Sequence, residues 1–159
     1  MHTTKSVELD SIDRRILEIV QRNNQLTNLK LAEKAHLSPP TCLRRVRRLR
    51  DEGVITGDVA LVDPFKVGKS LIVFVEVVLE RMHETVLAEF EKRIMSEPEI
   101  MQAYPISGDT DYLLVLLVTD MAAYQNFIRR LLVVDKNIKN FRSIFALHRT
   151  KFNTEVAVD

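Results

Sequence analysis

The chain has 159 residues but a single cysteine, Cys42, no tryptophan and only four glycines. One thiol excludes an intrachain disulfide framework and points to a reducing compartment. No glycine-rich phosphate loop and no paired nucleophile and base occur, which argues against an enzyme. The histidines at 2, 36, 83 and 148 are scattered and make no metal-ligand spacing with Cys42, so neither metal nor cofactor is expected. Long hydrophobic runs are missing too. The longest clean aliphatic stretch, Leu113 to Val118, falls far short of the ~18 residues of a membrane span, and Met1 to Leu9 has no apolar core of a signal peptide. A soluble, cytoplasmic protein with no membrane partner is expected.

Net charge is only +1, yet its distribution is uneven. Residues 1–57 carry 11 Lys/Arg against 7 Asp/Glu, and residues 58–159 carry 12 against 15. A basic front and a mildly acidic back suggest two tasks.

The front reads as three helices. Asp10 is a good N-cap, with Asp13 adding charge near the positive end of the helix. Behind it Ile12, Ile16, Ile19 and Val20 recur at helical spacing. Thr27 can cap a short second helix burying Leu31, Ala32 and Ala35, and His36-Leu37 forms a tight connection. Ser38-Pro39 starts a third helix, in which the Ser hydroxyl can take an orphan N–H and Pro needs none. That helix runs to about Arg50, with Gly53 as a stop. Cys42, Val46 and Leu49 form its buried stripe, so Cys42 is expected to be a packed thiol. The opposite face carries Thr41, Arg44 and Arg48, bordered by Pro40, Arg45 and Arg47.

Residues 41–50 hold five arginines and no acid. A merely solvated face normally mixes signs, because like charges on one short helix repel. The third helix of a trihelical unit is also where a recognition helix enters the major groove, and arginine there binds phosphates or guanine edges. Ser38, Pro40, Thr41, Arg44, Arg45, Arg47 and Arg48 are the candidate DNA-binding residues. Val54 to Thr56 and Val59 to Val62 flank Gly57-Asp58 and suggest a β-hairpin wing.

The back alternates strand and helix. Ser70 to Glu80 and Leu113 to Val118 are apolar on both faces, as strands covered on both sides must be. Helices over 84–95 and 121–133, with further strands at 100–107 and 138–148, complete a β-α-β-β-α-β order, the ferredoxin-like plan. Pro105 fits an edge strand. Two helices cover one sheet face, so a second copy is expected on the other. Ser107-Gly108-Asp109-Thr110-Asp111-Tyr112 is either a plain hairpin turn or a ligand site in which Asp109 and Asp111 hold an ammonium group. The domains are expected at 8–62 and 70–159, with a linker over 63–69.

These residues resemble the Lrp/AsnC (feast/famine) regulators: Leu9-Asp10-x-x-Asp13, Leu37 to Leu49, Gly53-Val54-Ile55 and Ser107 to Leu113, in that order and spacing. The resemblance implies an α+β chain, with a winged helix-turn-helix joined to a RAM domain, ACT-like in fold. It also implies sheet-to-sheet homodimers, often assembled into octamers on the nucleoid, and an amino-acid effector. Carried over, Gly108, Asp109, Asp111 and Tyr112 become the effector residues, with Ser107 and Thr110 beside them. A sequence-specific regulator of a near-palindromic double-stranded operator is therefore expected. A DNA organiser without effector is the alternative reading.

Overall fold

The computed structural model describes residues 6–158; His2 and the rest of the first five residues lie outside them. The chain divides into two compact units. One runs to Leu61 and takes in the chain again from Lys151; the other is Val62–Thr150.

In the first unit, α1 (Ser11–Arg22) begins in a capping box. The Asp10 carboxylate accepts from the backbone N–H groups of Ile12 and Asp13 at 2.9 and 2.8 Å, and Asp13 accepts in return from Asp10 N–H at 3.2 Å. Thr27 caps α2 (Asn28–Ala35), and His36, at φ 57°, closes it in the left-handed conformation. Leu37 N–H bonds back to Ala32 O at 2.8 Å, and this turn leads the chain into α3 (Pro39–Asp51). Ile16, Leu17, Leu31, Ala32, Ala35, Cys42 and Leu49 form the core. Cys42 is fully buried, and that burial pushes its thiol pKa up, as suits packing.

Two expectations fail here. Ser38 makes no side-chain cap; its hydroxyl donates to Thr41 Oγ1 at 2.8 Å. Pro40, at the second helical position, removes one of the two N–H donors that a serine cap would serve. The hairpin wing is absent too, since the chain from Val54 to Val62 holds no strand. Val54 and Ile55 instead both donate to Leu49 O, at 2.9 and 3.0 Å, closing the end of α3. Val59, Leu61 and Val62 are exposed.

The C-terminal segment, expected to belong to the second domain, packs in the first unit. Gln21 Nε2 donates to Val156 O at 2.9 Å, Val156 N–H donates to Gln21 Oε1 at 2.7 Å, and Arg22 Nε donates to Glu155 at 2.9 Å. Val158 lies against the helical core.

The second unit runs β1 (Leu71–Leu79), α4 (Glu84–Met95), β2 (Ile100–Pro105), β3 (Tyr112–Val118), α5 (Met121–Phe127) and β4 (Ile138–Phe145), in one sheet of order β2-β3-β1-β4. The two doubly apolar segments are the central strands and Pro105 lies on an edge strand, as expected. α5 is shorter than its periodicity suggests and continues as a π-helical stretch over Ile128–Val133. Val73, Val75, Val77, Leu114 and Leu116 meet Phe90, Ile94, Phe127 and Leu131 from the helices. The other face presents Ile72, Phe74, Val78, Leu113, Val115 and Leu117, half-buried, around a Glu76–Arg142 ion pair at 2.7 Å. Among the described residues no helix is long and apolar enough to cross a membrane.

Candidate nucleic-acid interface and sensing loop

Helical geometry spreads the five arginines of α3 around the helix, and their partners separate them further. Arg45 Nη1 donates to Asp10 Oδ2 at 2.7 Å and to Asp13 Oδ1 at 2.8 Å. Arg48 Nη2 donates to the other Asp13 oxygen. Arg50 pairs with Asp58 at 2.8 Å. Arg44 and Arg47 are exposed and form no ion pair among the described residues. With Pro40, they lie roughly opposite the buried Cys42 and Leu49. Ser38 and Pro40 are exposed beside them at the start of the helix, and Thr41 is half-buried.

Asp13 is the residue that the sequence reading undervalued. Its side chain is 1 % exposed, and a buried carboxylate requires partners. Here these are two guanidinium groups and the Asp10 amide. The signal was present: Asp13 shares the inward face of α1 with Ile16, Leu17 and Val20, where an acid has to be paired. The Asp13 amide, followed by the Arg45 guanidinium, holds the Asp10 carboxyl down at about 2. The two carboxylates, Asp10 first, push the Arg45 pKa up.

In the second unit the candidate loop closes the β2–β3 hairpin, with Ile106 N–H bonded to Asp111 O at 2.9 Å. Gly108 sits at φ 132°, a conformation that only glycine adopts readily. Ser107, Gly108 and Asp109 are exposed and Thr110 is half-buried. Asp111 and Tyr112 turn inward. The Asp111 carboxylate accepts from Leu79 N–H at 2.7 Å, and the Tyr112 hydroxyl donates to Glu91 of α4 at 2.8 Å. Burial, with Glu91 adding to it, pushes the Tyr112 phenol up to about 12. Its ring packs edge-on against Phe90. Sequence reasoning missed Glu91, which carries no local signal on an exposed helix face.

The Lrp/AsnC ligand binding domain profile matches residues 72–156, and a winged helix-turn-helix DNA-binding profile matches residues 9–56. The chain is a member of the Lrp/AsnC family. A leucine-responsive regulatory protein from Rhizobium meliloti is 35 % identical over 96 % of this chain and 97 % of its own length. An AsnC family transcriptional regulator from Agrobacterium tumefaciens superposes with a TM-score of 0.89 at 37 % identity, covering 93 % of this chain and 96 % of that one. A transcriptional regulator from Neisseria meningitidis, solved as its L-Met complex, superposes at 0.87 with 34 % identity, covering 94 % and 96 %. This Lrp/AsnC chain is accordingly a helix-turn-helix transcription regulator with a ligand-binding domain of α+β fold.

Proposed function

We propose that the chain acts as a homodimer, assembling further into octamers, that binds a near-palindromic operator through α3 and responds to an amino acid at the Ser107–Tyr112 loop. The observation that carries the DNA reading is the pair of exposed arginines, Arg44 and Arg47, which form no ion pair among the described residues and lie opposite the buried stripe of α3. Arginine forks grip phosphates or guanine O6 and N7. Arg45 and Arg48, on the flank, are held in ion pairs with Asp10 and Asp13. The L-Met complex of the Neisseria relative supports an amino-acid effector, and an apolar one in particular. The apolar outer face of the sheet supports the dimer, because a surface of that kind is rarely left to water. Two readers related by a twofold axis then require two half-sites about one helical turn, or a multiple of it, apart.

The test is to select bound fragments from random duplex DNA and to screen the protein against all twenty amino acids by thermal shift. A ligand that binds only the folded state raises the melting temperature by mass action. A recurring near-palindrome and a rise with one or a few amino acids are expected. Fragments without a shared sequence would overturn the operator reading, and a flat thermal response to all twenty would overturn the effector reading.

A further inference from the structure

The ion pairs of α3 divide its positive charge into a held part and a free part. Arg45 and Arg48 face Asp10 and Asp13, and Arg48 Nε also lies 3.9 Å from the exposed carboxylate of Glu52. Arg44 and Arg47 have no such partner among the described residues. We propose that Asp13, aided by Asp10, is a specificity-determining residue of this regulator. Its buried carboxylate withholds the Arg45 and Arg48 guanidinium groups from DNA phosphates and leaves Arg44 and Arg47 to read the duplex. This rests on the DNA-binding reading above.

Three features of the geometry carry the inference. The first is that Asp13 cannot swing away with its arginines. It is 1 % exposed, and the Asp10 N–H donates to one of its oxygens. The second is that the held guanidinium groups border solvent, with side chains 23 % exposed for Arg45 and 42 % for Arg48. Once released, they would reach a phosphate backbone lying along the helix. The third is that Arg45 uses Nη1 for both carboxylates while its Nε is buried without a partner. No bidentate fork therefore locks Arg45, and its position depends on the two acids together.

The consequence follows from how proteins bind duplexes. Affinity for any sequence grows with the number of phosphates neutralised, whereas discrimination comes from contacts with base edges. Five mobile arginines on one helix would raise generic affinity without improving the reading of bases. Pinning two of them removes phosphate contacts that every sequence offers equally, and so widens the ratio of operator to generic binding. Asp13 acts through Arg45 and Arg48 rather than by touching DNA, which makes it a positioning residue.

The experiment measures binding of the full chain to the selected operator and to a scrambled duplex of equal length, between about 50 and 200 mM salt. Concentrations are corrected for the folded fraction. In Asp13→Asn, Arg48 loses its buried carboxylate and keeps only the exposed Glu52, 3.9 Å away, a surface pair too weak to hold it from a phosphate. The salt slope on the scrambled duplex is expected to steepen by about 0.9 per bound recognition helix, an extra loss of roughly 3-fold across that range. The operator-to-scramble ratio falls accordingly, and adding Arg48→Ala restores the parental slope. A purely structural Asp13 would lower the melting temperature without altering the slope, and a parental slope and ratio in Asp13→Asn would overturn the inference. Arg48→Gln in the parent background gives a second test, because Asp13 keeps Arg45 and the fold is retained. The scrambled-duplex slope is then expected to stay unchanged, and a fall of about 0.9 would show that Arg48 already contacts phosphate and overturn the proposal. If the parent itself fails to prefer the operator, the DNA reading fails with it, a result distinct from either slope outcome.

Discussion

The Asp111 carboxylate accepts a 2.7 Å hydrogen bond from Leu79 N–H, at the end of β1, while Asp111 N–H donates to Val77 O at 2.9 Å. One residue thereby fastens the tip of the β2–β3 hairpin to the central strand. The next residue, Tyr112, ties the same hairpin to α4 through Glu91. A ligand arriving at this loop meets exposed Ser107 and Asp109 first. To engage Asp111 it has to compete with the Leu79 amide, so occupancy of the loop would be felt at β1.

Asp111→Ala leaves the Leu79 N–H, on a residue only 5 % exposed, without its acceptor. Losing a hydrogen bond to a charged group costs about 1.5–3 kcal/mol. A drop of that size in denaturant stability, with the amino-acid response lost and operator binding kept, is the expected result. Unchanged stability would mean that the hairpin is held by other bonds.

Tyr112 gives a pH signature. Its phenol is raised from 10.0 to about 12 in the fold, so the folded state disfavours the phenolate. The resulting stability is fully present below pH 10 and is lost as pH rises through 10 towards 12. Tyr112→Phe should abolish that alkaline component, and should cost about 1 kcal/mol at neutral pH through the missing bond to Glu91. A difference titration in the phenolate ultraviolet band, parent minus variant, should show one group ionising near 12.

Asp10 has the opposite sign. Its carboxyl is lowered from 3.8 to about 2, so its contribution is present above pH 3.8 and disappears as pH falls towards 2. Asp10→Asn should flatten the stability profile across that acid window, which urea unfolding at stepped pH would read. A slope retained in the variant would assign it to another carboxylate.

The arginines should separate by assay. Arg44→Ala and Arg47→Ala are expected to weaken operator binding while leaving the unfolding midpoint within about 0.5 kcal/mol of the parent, as exposed substitutions do. Replacing Arg45 and Arg48 together by methionine strands the buried Asp13 carboxylate, and should cost about 3–5 kcal/mol. Calorimetry of the three variants beside fluorescence anisotropy on labelled operator would distinguish the two classes. Equal losses of stability in both would erase the distinction.

How far the sequence could be read depended on the range of the interaction. Helical spacing of Ile12, Ile16 and Ile19 and the doubly apolar segments at 70–80 and 113–118 are local patterns, and they translate directly into α1 and the two central strands. The arginine face of α3 was visible, but its division into held and free groups was not. Asp13 and Arg48 lie 35 residues apart, and nothing local couples them. The wing failed for the converse reason. Val54-Ile55-Thr56 has strand-like content, but three residues are too short to outcompete the Leu49 carbonyl that ends the helix. The candidate loop was legible as a hairpin with a glycine, whereas the inward turn of Asp111 and Tyr112 depends on β1 and α4, distant in the chain.

The outer sheet face supplies the last test. Val115 stands on the central strand β3, in register with Phe74 on one side and Gln102 on the other, with Leu113 and Leu117 on the same face. An aspartate there leaves the opposite, helix-covered face intact, so the domain should keep its melting transition. In a dimer packed sheet against sheet, however, the new carboxylate would be desolvated. Its only charged neighbours on this face among the described residues, Glu76 and Arg142, already pair with each other. A buried unpaired charge of that kind is not tolerated. Val115→Asp is therefore expected to sediment as a folded monomer at micromolar concentration. Its operator affinity should fall by about 10²-fold or more, because the two readers no longer share one effective concentration. A folded variant that remains dimeric would place the twofold contact on a different surface, and the half-site spacing of the operator would then have to be derived from that surface.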